Sequence, residues 1–487
     1  MICKIFGKPV ILMFVVACLV VLSSSTADAV TVKEVCAVDS SCYAIDANGD
    51  LWAWGNVLGQ KHVHPTKLSF IDHVKMVASS TGGVVVLKDD GSVWAWGTVP
   101  ASQTGHYPGE NSTTPVRINI SGVTYVASSG LTVYMVKSDG SLWMCGRELC
   151  LSFNDLRHPE YALDPVRLPI SNVSKVVPTS SFVYVEKDDG SWWSWGENYD
   201  YQLNDGTNVS RDSPVQMLKD NIKSVCAQSA CYSINDYYIS ASSVLALDNS
   251  GQVYGWGDNS KWVSGDSMYP TFSGMNADGD YLGYIVNSPH PVPGMSRVRE
   301  IGCGIGYYVA LKKDGSVWAW GSNPYCHDGQ SSLDSNMPVQ LSGFSDIVTI
   351  SVGDNHLLAV KKDGTVWTWG SNIFGQIGNG EISPNGGKPY AMQVPDLYVD
   401  LPAGTDASPA TSTPAPVPTY TAIPDVEDNS TETSTPIAVG TVSSTPVPLP
   451  SVTPEASPGF GFNNIAGLCS LLAIIGLLTG FMQRKDG

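Results

Sequence analysis

The chain has 487 residues, a formal charge of −18 and 43% apolar residues, so a sizeable core is available. Only 15% of residues are charged, while 48 glycines, 31 prolines and 14 tryptophans favour turns and aromatic strands over long helices. The acidic balance argues against a nucleic-acid binder, which needs a basic surface to displace counterions from phosphates.

The chain opens with Lys4 and Lys8, an apolar run from Pro9 to Leu22, and Ala27-Asp28-Ala29. That order is expected of a secretory signal peptide, residues 1–29, cleaved after Ala29. An uncleaved anchor is the alternative, and the short apolar core disfavours it.

Seven copies of one pattern follow. They run Asn48–Gly55, Asp90–Gly97, Asp139–Gly146, Asp189–Gly196, Ser250–Gly257, Asp314–Gly321 and Asp363–Gly370; the second reads Asp-Gly-Ser-Val-Trp-Ala-Trp-Gly. Thirteen of the fourteen tryptophans fall inside these copies, with Trp262 outside, so this is a repeat protein. An apolar run such as Val84–Leu87 precedes each turn pair. Asp-Gly tolerates positive φ and is expected to close a two-residue hairpin. The next strand places Trp94 and Trp96 on one face. Another short strand lies upstream, as at Val74–Val77. Downstream a proline precedes apolar residues, at Pro65, Pro115, Pro165, Pro214, Pro291 and Pro338. Four-stranded antiparallel units repeated radially make a propeller. The expected fold is all-β: a seven-bladed β-propeller over residues 30–400, with tryptophan faces buried between blades.

These copies resemble the regulator of chromosome condensation (RCC) repeat family of seven-bladed propellers. The Asp-Gly-x-Val-Trp-x-Trp-Gly cores carry the resemblance, together with the loops after them. Asn372-Ile-Phe-Gly-Gln-Ile-Gly378 matches the family's Asn-x-x-Gly-Gln-Leu-Gly loop, and Asn198–Asn204 and Asn56–Gln60 match it in part. Copies three and five depart, with Cys145 for the second Trp and Tyr254 for the first. The family's founding member is a nuclear nucleotide-exchange factor for a small GTPase; an exported acidic chain meets neither that GTPase nor chromatin. A secreted branch, including a bacterial inhibitor that binds β-lactamases with loops on one propeller face, is more similar. The resemblance implies a binding role.

In an antiparallel blade the Asp-Gly turns lie on one face, and the first-to-second and third-to-fourth loops emerge on the other. Copy five carries two insertions on that second face, Ala227 to Ser243 and Asp258 to Pro289. They bring Tyr237, Tyr238, Trp262, Tyr269, Tyr281 and Tyr284 there as candidate ligand-binding residues. Packing of the insertions onto the propeller is the competing reading. Export favours disulfides. Cys36, Cys42, Cys145, Cys150, Cys226, Cys231, Cys303 and Cys326 gather toward the same face, and pairing of near neighbours leaves none over.

No catalytic, cofactor-binding or metal set is expected. His62-Val-His64 lacks further ligands. Asn276-Ala-Asp-Gly-Asp280 lacks the distal Glu of a calcium loop. The Asp residues beside Gly are explained by turn geometry. Sequons at Asn111, Asn119, Asn172, Asn208 and Asn429 permit N-glycosylation.

Residues 401–458 hold 12 of the 31 prolines and no Lys or Arg. Such a Pro/Thr/Ser-rich segment cannot offset its ordering entropy, so a disordered stalk reaching roughly 180 Å is expected. Pro458, Gly459 and Phe460 then lead into an apolar run from Ile465 to Met482, followed by Arg484 and Lys485. Residues 459–487 resemble the PGF-type C-terminal sorting signal of archaeal surface proteins. That resemblance implies an archaeal source, an archaeosortase-like processing enzyme and a replacement lipid. A plain C-terminal transmembrane helix is the alternative. The expectation is a cell-surface propeller that binds an extracellular protein or glycan as an adhesion module, without catalysis. Its rivals are a secreted polysaccharide-active enzyme and a structural envelope component.

Overall fold

The computed structural model describes residues 29–401 except 81–82, 98–111, 130–131, 148–160, 235–236, 267–273, 276–280, 283–284, 324–332 and 384–385. The leader up to residue 28, the stalk, Pro458–Phe460, Asn111 and Asn429 lie outside the described residues. So do Cys150, Cys326 and Asn276–Asp280.

The described secondary structure is strand throughout. Blade 1 holds β1 (Val30–Val38), β2 (Ser41–Asp46), β3 (Leu51–Val57) and β4 (Gln60–Lys67); blade 2 holds β5 (Val74–Ser80), β6 (Gly83–Lys88), β7 (Val93–Gly97) and β8 (Ser112–Arg117). Blade 3 holds β9 (Val123–Ser129), β10 (Thr132–Lys137), β11 (Leu142–Arg147) and β12 (Tyr161–Arg167); blade 4 holds β13 (Val173–Pro178), β14 (Phe182–Lys187), β15 (Trp192–Gly196) and β16 (Arg211–Gln216). Blade 5 holds β17 (Ile222–Ile234), β18 (Tyr237–Asp248), β19 (Val253–Asp258), a small ribbon of β20 (Gly274–Met275) and β21 (Tyr281–Leu282), and β22 (Ile285–Pro291). Blade 6 holds β23 (Val298–Gly304), β24 (Tyr307–Lys312), β25 (Val317–Asn323) and β26 (Leu333–Gln340). Blade 7 holds β27 (Ile347–Val352), β28 (His356–Lys361), β29 (Thr365–Ser371) and β30 (Gly387–Val399). Blades 2 to 6 are separate four-stranded sheets, while blades 7 and 1 merge into eight strands through β30 and β1.

First strands meet in a closed cycle: β1 touches β5, then β9, β13, β17, β23 and β27 follow in turn, and β27 touches β1 again. They are therefore the innermost strands. The cores lie between blades. Tyr43 and Ile45 of blade 1 pack with Val84, Val86 and Trp96 of blade 2. Val85 and Leu87, on the opposite face of the same strand, pack with Val133, Met135 and Cys145 of blade 3. Tyr134 and Val136 meet Val183, Val185 and Trp195 of blade 4. One continuous cluster joins blades 4, 5 and 6. Tyr307 and Val309 meet Leu357 and Trp369 of blade 7. Leu358 and Val360 meet Cys42 and Trp54 of blade 1. Side chains alternate between faces, so four successive residues of each second strand, such as Val84–Leu87, are all apolar and serve two interfaces.

The turn in the repeat differs from the expected two-residue hairpin. Lys88 O accepts the Gly91 N–H, the Lys88 N–H donates to Ser92 O, and among Asp89, Asp90 and Gly91 positive φ falls on the glycine alone (76°). That is a three-residue loop with glycine in the left-handed position. Asp90 Oδ1 instead accepts the Ser92 N–H at 2.9 Å, and the Ser92 hydroxyl accepts the Trp94 indole N–H at 3.1 Å. Lysine from the second strand lies over the same ring, as Lys361 does 3.8 Å above Trp367. The first Trp is thus held half-exposed by polar contacts, while the second, as at Trp54, Trp96, Trp256 and Trp320, is fully buried. The marker prolines fall in the fourth strands, whose unpaired edge tolerates a missing donor.

The seam between blades 7 and 1 closes the ring. In blades 2, 3, 4, 6 and 7 a first-strand valine or isoleucine donates its N–H to the preceding turn glycine, as Val74 does to Gly49 and Val173 to Gly140. Gly364 receives the N–H of Val399 instead, at 2.8 Å. The end of β30 thus occupies the place of a following blade, and Val30–Val32 pair parallel beside Leu397–Val399.

Among the described residues the disulfide is not between near neighbours. Cys226 and Cys303 form a disulfide between β17 and β23, with Cα atoms 5.8 Å apart. Cys226 and Cys231 occupy one extended strand, about 16 Å apart end to end, beyond disulfide reach. Cys36 and Cys42 face opposite cores, one in the blade 1–2 interface and the other at the seam, and both remain thiols, as does buried Cys145. The Cys226–Cys303 bridge closes a segment with a sequence separation of 77, for which chain entropy gives about 4 kcal/mol. Urea unfolding is expected to show a loss of that order on adding reductant, and none in a Cys226→Ser/Cys303→Ser chain; equal sensitivity of both chains would contradict the bridge.

Candidate binding face

The first-to-second and third-to-fourth loops share one end of the ring, here the upper face. Three third-to-fourth loops have one design. Asn198, Asn259 and Asn372 each stand two residues after a closing glycine. Their Oδ1 atoms accept the N–H groups of Leu203, Ser264 and Ile377 at 2.9 to 3.0 Å. The residue three beyond each Asn is left-handed, with φ of 59° at Tyr201, 61° at Trp262 and 87° at Gly375. These loops also latch the next blade. Trp256 donates its indole N–H to Gln202 O, and Trp54 to Gln376 O, each at 3.0 Å. Tyr184 adds its hydroxyl to Gln202 O. The partial match Asn56–Gln60 is different: Leu58 and Gly59, both at positive φ, form a two-residue turn between β3 and β4.

Blade 5 dominates the face. The insertion Ala227 to Ser243, expected as a loop, is strand. β17 and β18 stay paired from Ile222–Asp248 out to Ile234–Tyr237, thirteen and twelve residues long, where β13 and β14 have six each. The result is a hairpin arm extending beyond the blade, with Tyr237 and Tyr238 in its second strand. Its base is gripped from both sides. Asp200 of blade 4 accepts the Ser242 N–H at 3.1 Å, and Ser181 meets Ser229 at 2.9 Å. Gln228 donates to Tyr308 of blade 6 at 3.1 Å and accepts the Gly306 N–H at 2.7 Å. The Cys226–Cys303 bridge lies on the same strand.

The candidate aromatics are only partly brought together. Trp262 sits half-buried at the left-handed corner of the Asn259 loop. Tyr281 lies in the small ribbon, and Tyr269 and Tyr284 fall outside the described residues. Sequence reasoning passed over Tyr199, which is 65% exposed beside Asp200. It also missed the Asn259 loop, whose signal was an Asn two residues after the closing glycine, as at Asn198 and Asn372. Of the sequons, Asn119, Asn172 and Asn208 are exposed.

Two acidic pairs mark the rim. Asp200 is pushed up to about 7, first by burial and then by the charge of Asp258, with Glu197 adding to it. Asp258, itself raised by burial, accepts the N–H and hydroxyl of Ser260. At the seam, Asp354 is likewise pushed up to about 7 by burial and then by Asp39. Its N–H donates to Asp39 O, and its carbonyl accepts the Ile305 N–H. Beneath it, fully buried His356 lies 3.1 Å from the Cys42 thiol and is held down to about 4 by desolvation. Neither buried group is open to a substrate. Among the described residues no cluster of three metal-ligating side chains occurs, and His62 and His64 lie in β4.

Residues 314–360 and 347–376 match two models of the Regulator of chromosome condensation (RCC1) repeat. The fold is an RCC1-like propeller. The structure of human WBSCR16 is similar over 71% of this chain and 93% of its own, with 17% identity and a TM-score of 0.55. Prp20p of Saccharomyces cerevisiae is similar over 74% of this chain and 87% of its own, with 17% identity and a TM-score of 0.54. In sequence, protein pim1 of Schizosaccharomyces pombe is 30% identical over 97 residues, 20% of this chain and 18% of its own. The mitochondrial RCC1 domain-containing protein RUG3 of Arabidopsis thaliana is 35% identical over 91 residues, 18% of this chain and 17% of its own. The matched segments span less than a fifth of either curated relative.

The rim carboxyls set a pH dependence. Unfolded, Asp200 and Asp354 lose their protons near 3.8; folded, they keep them to about 7. Their contribution is therefore complete below the unfolded value and is lost as pH rises through about 7. His356 acts oppositely, losing stability as pH falls from 6.5 towards 4. The melting temperature is expected to drop between about pH 5 and about pH 7, less steeply below 6.5 where His356 opposes it, and to level off above, and an Asp200→Asn/Asp354→Asn chain to remove most of that drop. An unchanged slope in the variant would assign it to other groups.

Proposed function

We propose that this chain is an exported, non-catalytic binding module that recognises a protein partner through the upper face of blades 4 to 6. In this reading residues 401–458 form the stalk and 459–487 hold the module at the membrane. The observation that carries the reading is the blade 5 arm, a paired hairpin longer than its counterparts and clamped by both neighbouring blades. A rigid projection presents contact groups at low ordering cost. Exposed Tyr199, two residues from Glu197, adds an aromatic anchor next to a carboxylate, which complements lysine or arginine on a partner. Similar folds support protein recognition: Prp20p was described with its binding properties to Gsp1p and histones, and yeast RCC1 (Prp20) was solved with Kap60 bound. None of those partners is carried over. The signal-like start, the acidic charge and the PGF-like tail support display outside the cell.

A photo-crosslinking residue placed at Tyr199 in the full chain is expected to capture a partner on intact cells. The same residue at Asp188, exposed in the Asp-Gly turn at the opposite end of blade 4, is expected to capture none. Deleting 231–240 is expected to abolish the Tyr199 product while folding survives. Equal capture at both positions, or no capture on intact cells, would defeat the reading.

A further inference from the structure

Every first strand carries a β-bulge at one corresponding place. Pairing with the second strand slips by a residue between Val32 and Glu34, Val74 and Met76, and Val123 and Tyr125. It slips likewise between Val173 and Lys175, Ile222 and Ser224, Val298 and Glu300, and Ile347 and Thr349. A bulge releases one residue from the ladder and re-aims its side chain. Because the first strands form the inner ring, these seven residues encircle the axis near the Asp-Gly turns, at the end opposite the upper face.

Four of the seven are cations: Lys33, Lys75, Lys223 and Arg299. With 27 Lys and Arg among 487 residues, seven random positions would hold fewer than one. The three lysines are exposed, and the Arg299 side chain is 41% exposed. In ring order they occupy blades 5, 6, 1 and 2, with buried Val348 at blade 7. Lys223 Nζ donates to Arg299 O at 2.8 Å, which ties neighbouring blades together. In blades 3 and 4 the Thr124 and Ser174 hydroxyls turn back onto Val136 O and Glu186 O. Acids accompany the arc at Glu34 and Glu300. Glu300 is already engaged: its Oε2 accepts the Thr349 hydroxyl and the Ile350 N–H, and its Oε1 lies 3.5 Å from Arg299.

We infer that this arc is an anion site at the lower mouth of the ring, for a compact multivalent oxyanion of phosphate or sulfate chemistry. Several cations on a rigid ring focus their field at its mouth. A long polyanion would also meet the surrounding net negative charge, which a compact ion avoids through screening. The site is independent of the upper face.

Calorimetry on the full chain at low salt, with inorganic triphosphate as the probe, is expected to show saturable binding that weakens as salt rises. A Lys33→Gln/Lys75→Gln chain is expected to lose at least about tenfold in affinity at unchanged melting temperature. Lys313→Gln, an exposed control, is expected to bind like the parent. A sulfated disaccharide in parallel separates the sources: tighter binding than triphosphate assigns the site to glycan sulfate, weaker binding to free phosphate. No saturable binding of either probe, or an equal loss in Lys313→Gln, would overturn the site.

Discussion

A four-stranded sheet whose second strand is apolar at four successive positions has two greasy faces and nothing of its own to cover them. Val84 and Val86 point one way and Val85 and Leu87 the other, and both sets are fully buried only because a blade stands on each side. That constraint determines the architecture. Each blade must find two neighbours, so an open row would leave two faces in water. Burial of several large side chains per face, at about 1.5–3 kcal/mol each, drives the row to close. Closure then needs a device at the seam, and the chain supplies it with its own last strand.

The polar latches follow from the same packing. Drawing blades together buries indole N–H groups and loop carbonyls, which are costly without partners. Trp256 with Gln202 and Trp54 with Gln376 answer that need across blade boundaries. The Asn residues that shape these loops satisfy their backbone from within. Each loop can then lengthen beyond its latch without disturbing the core, and in blade 5 a ribbon of β20 and β21 follows the Asn259 loop. The Asn259 amide nitrogen and the Trp320 indole lack hydrogen-bond partners among the described residues.

Much of the ring was legible because it rests on short-range rules repeated seven times. The Trp-x-Trp face, the glycine that closes each copy and the proline on the edge strand all follow from local geometry. Gly370 shows why the pattern is strict: its φ is 105°, and a Cβ there would stand 2.4 Å from Asn355 O. The misreadings share another cause. A two-residue Asp-Gly turn does not form because Asp90 caps the Ser92 N–H, whose own hydroxyl holds Trp94, and positive φ is left to the glycine. Cysteines were paired by proximity in sequence, although a strand carries Cys226 away from Cys231 and a neighbouring blade brings Cys303 beside it. The arm was read as loop because its serines and alanines lack the alternation of a half-buried strand. Pairing with a partner of equal length makes it strand all the same.

The two ends of the ring therefore carry different kinds of information. At the Asp-Gly end, each residue of the turn is spoken for by a capping bond, a cation above a ring or an inter-blade N–H. The bulge beside it leaves a side chain that the ladder does not use, and four of the seven bulge residues are cations. At the upper end the requirement is satisfied by two or three atoms per loop, so length is free. The arm arises where that freedom is greatest. It is stiff because blades 4 and 6 lend hydrogen bonds and a disulfide to its base, which makes the extension a continuation of the ring's own rigidity. A recognition surface built this way inherits its order from the closed fold, and loss of closure at β30 would blunt it without touching a single contact residue.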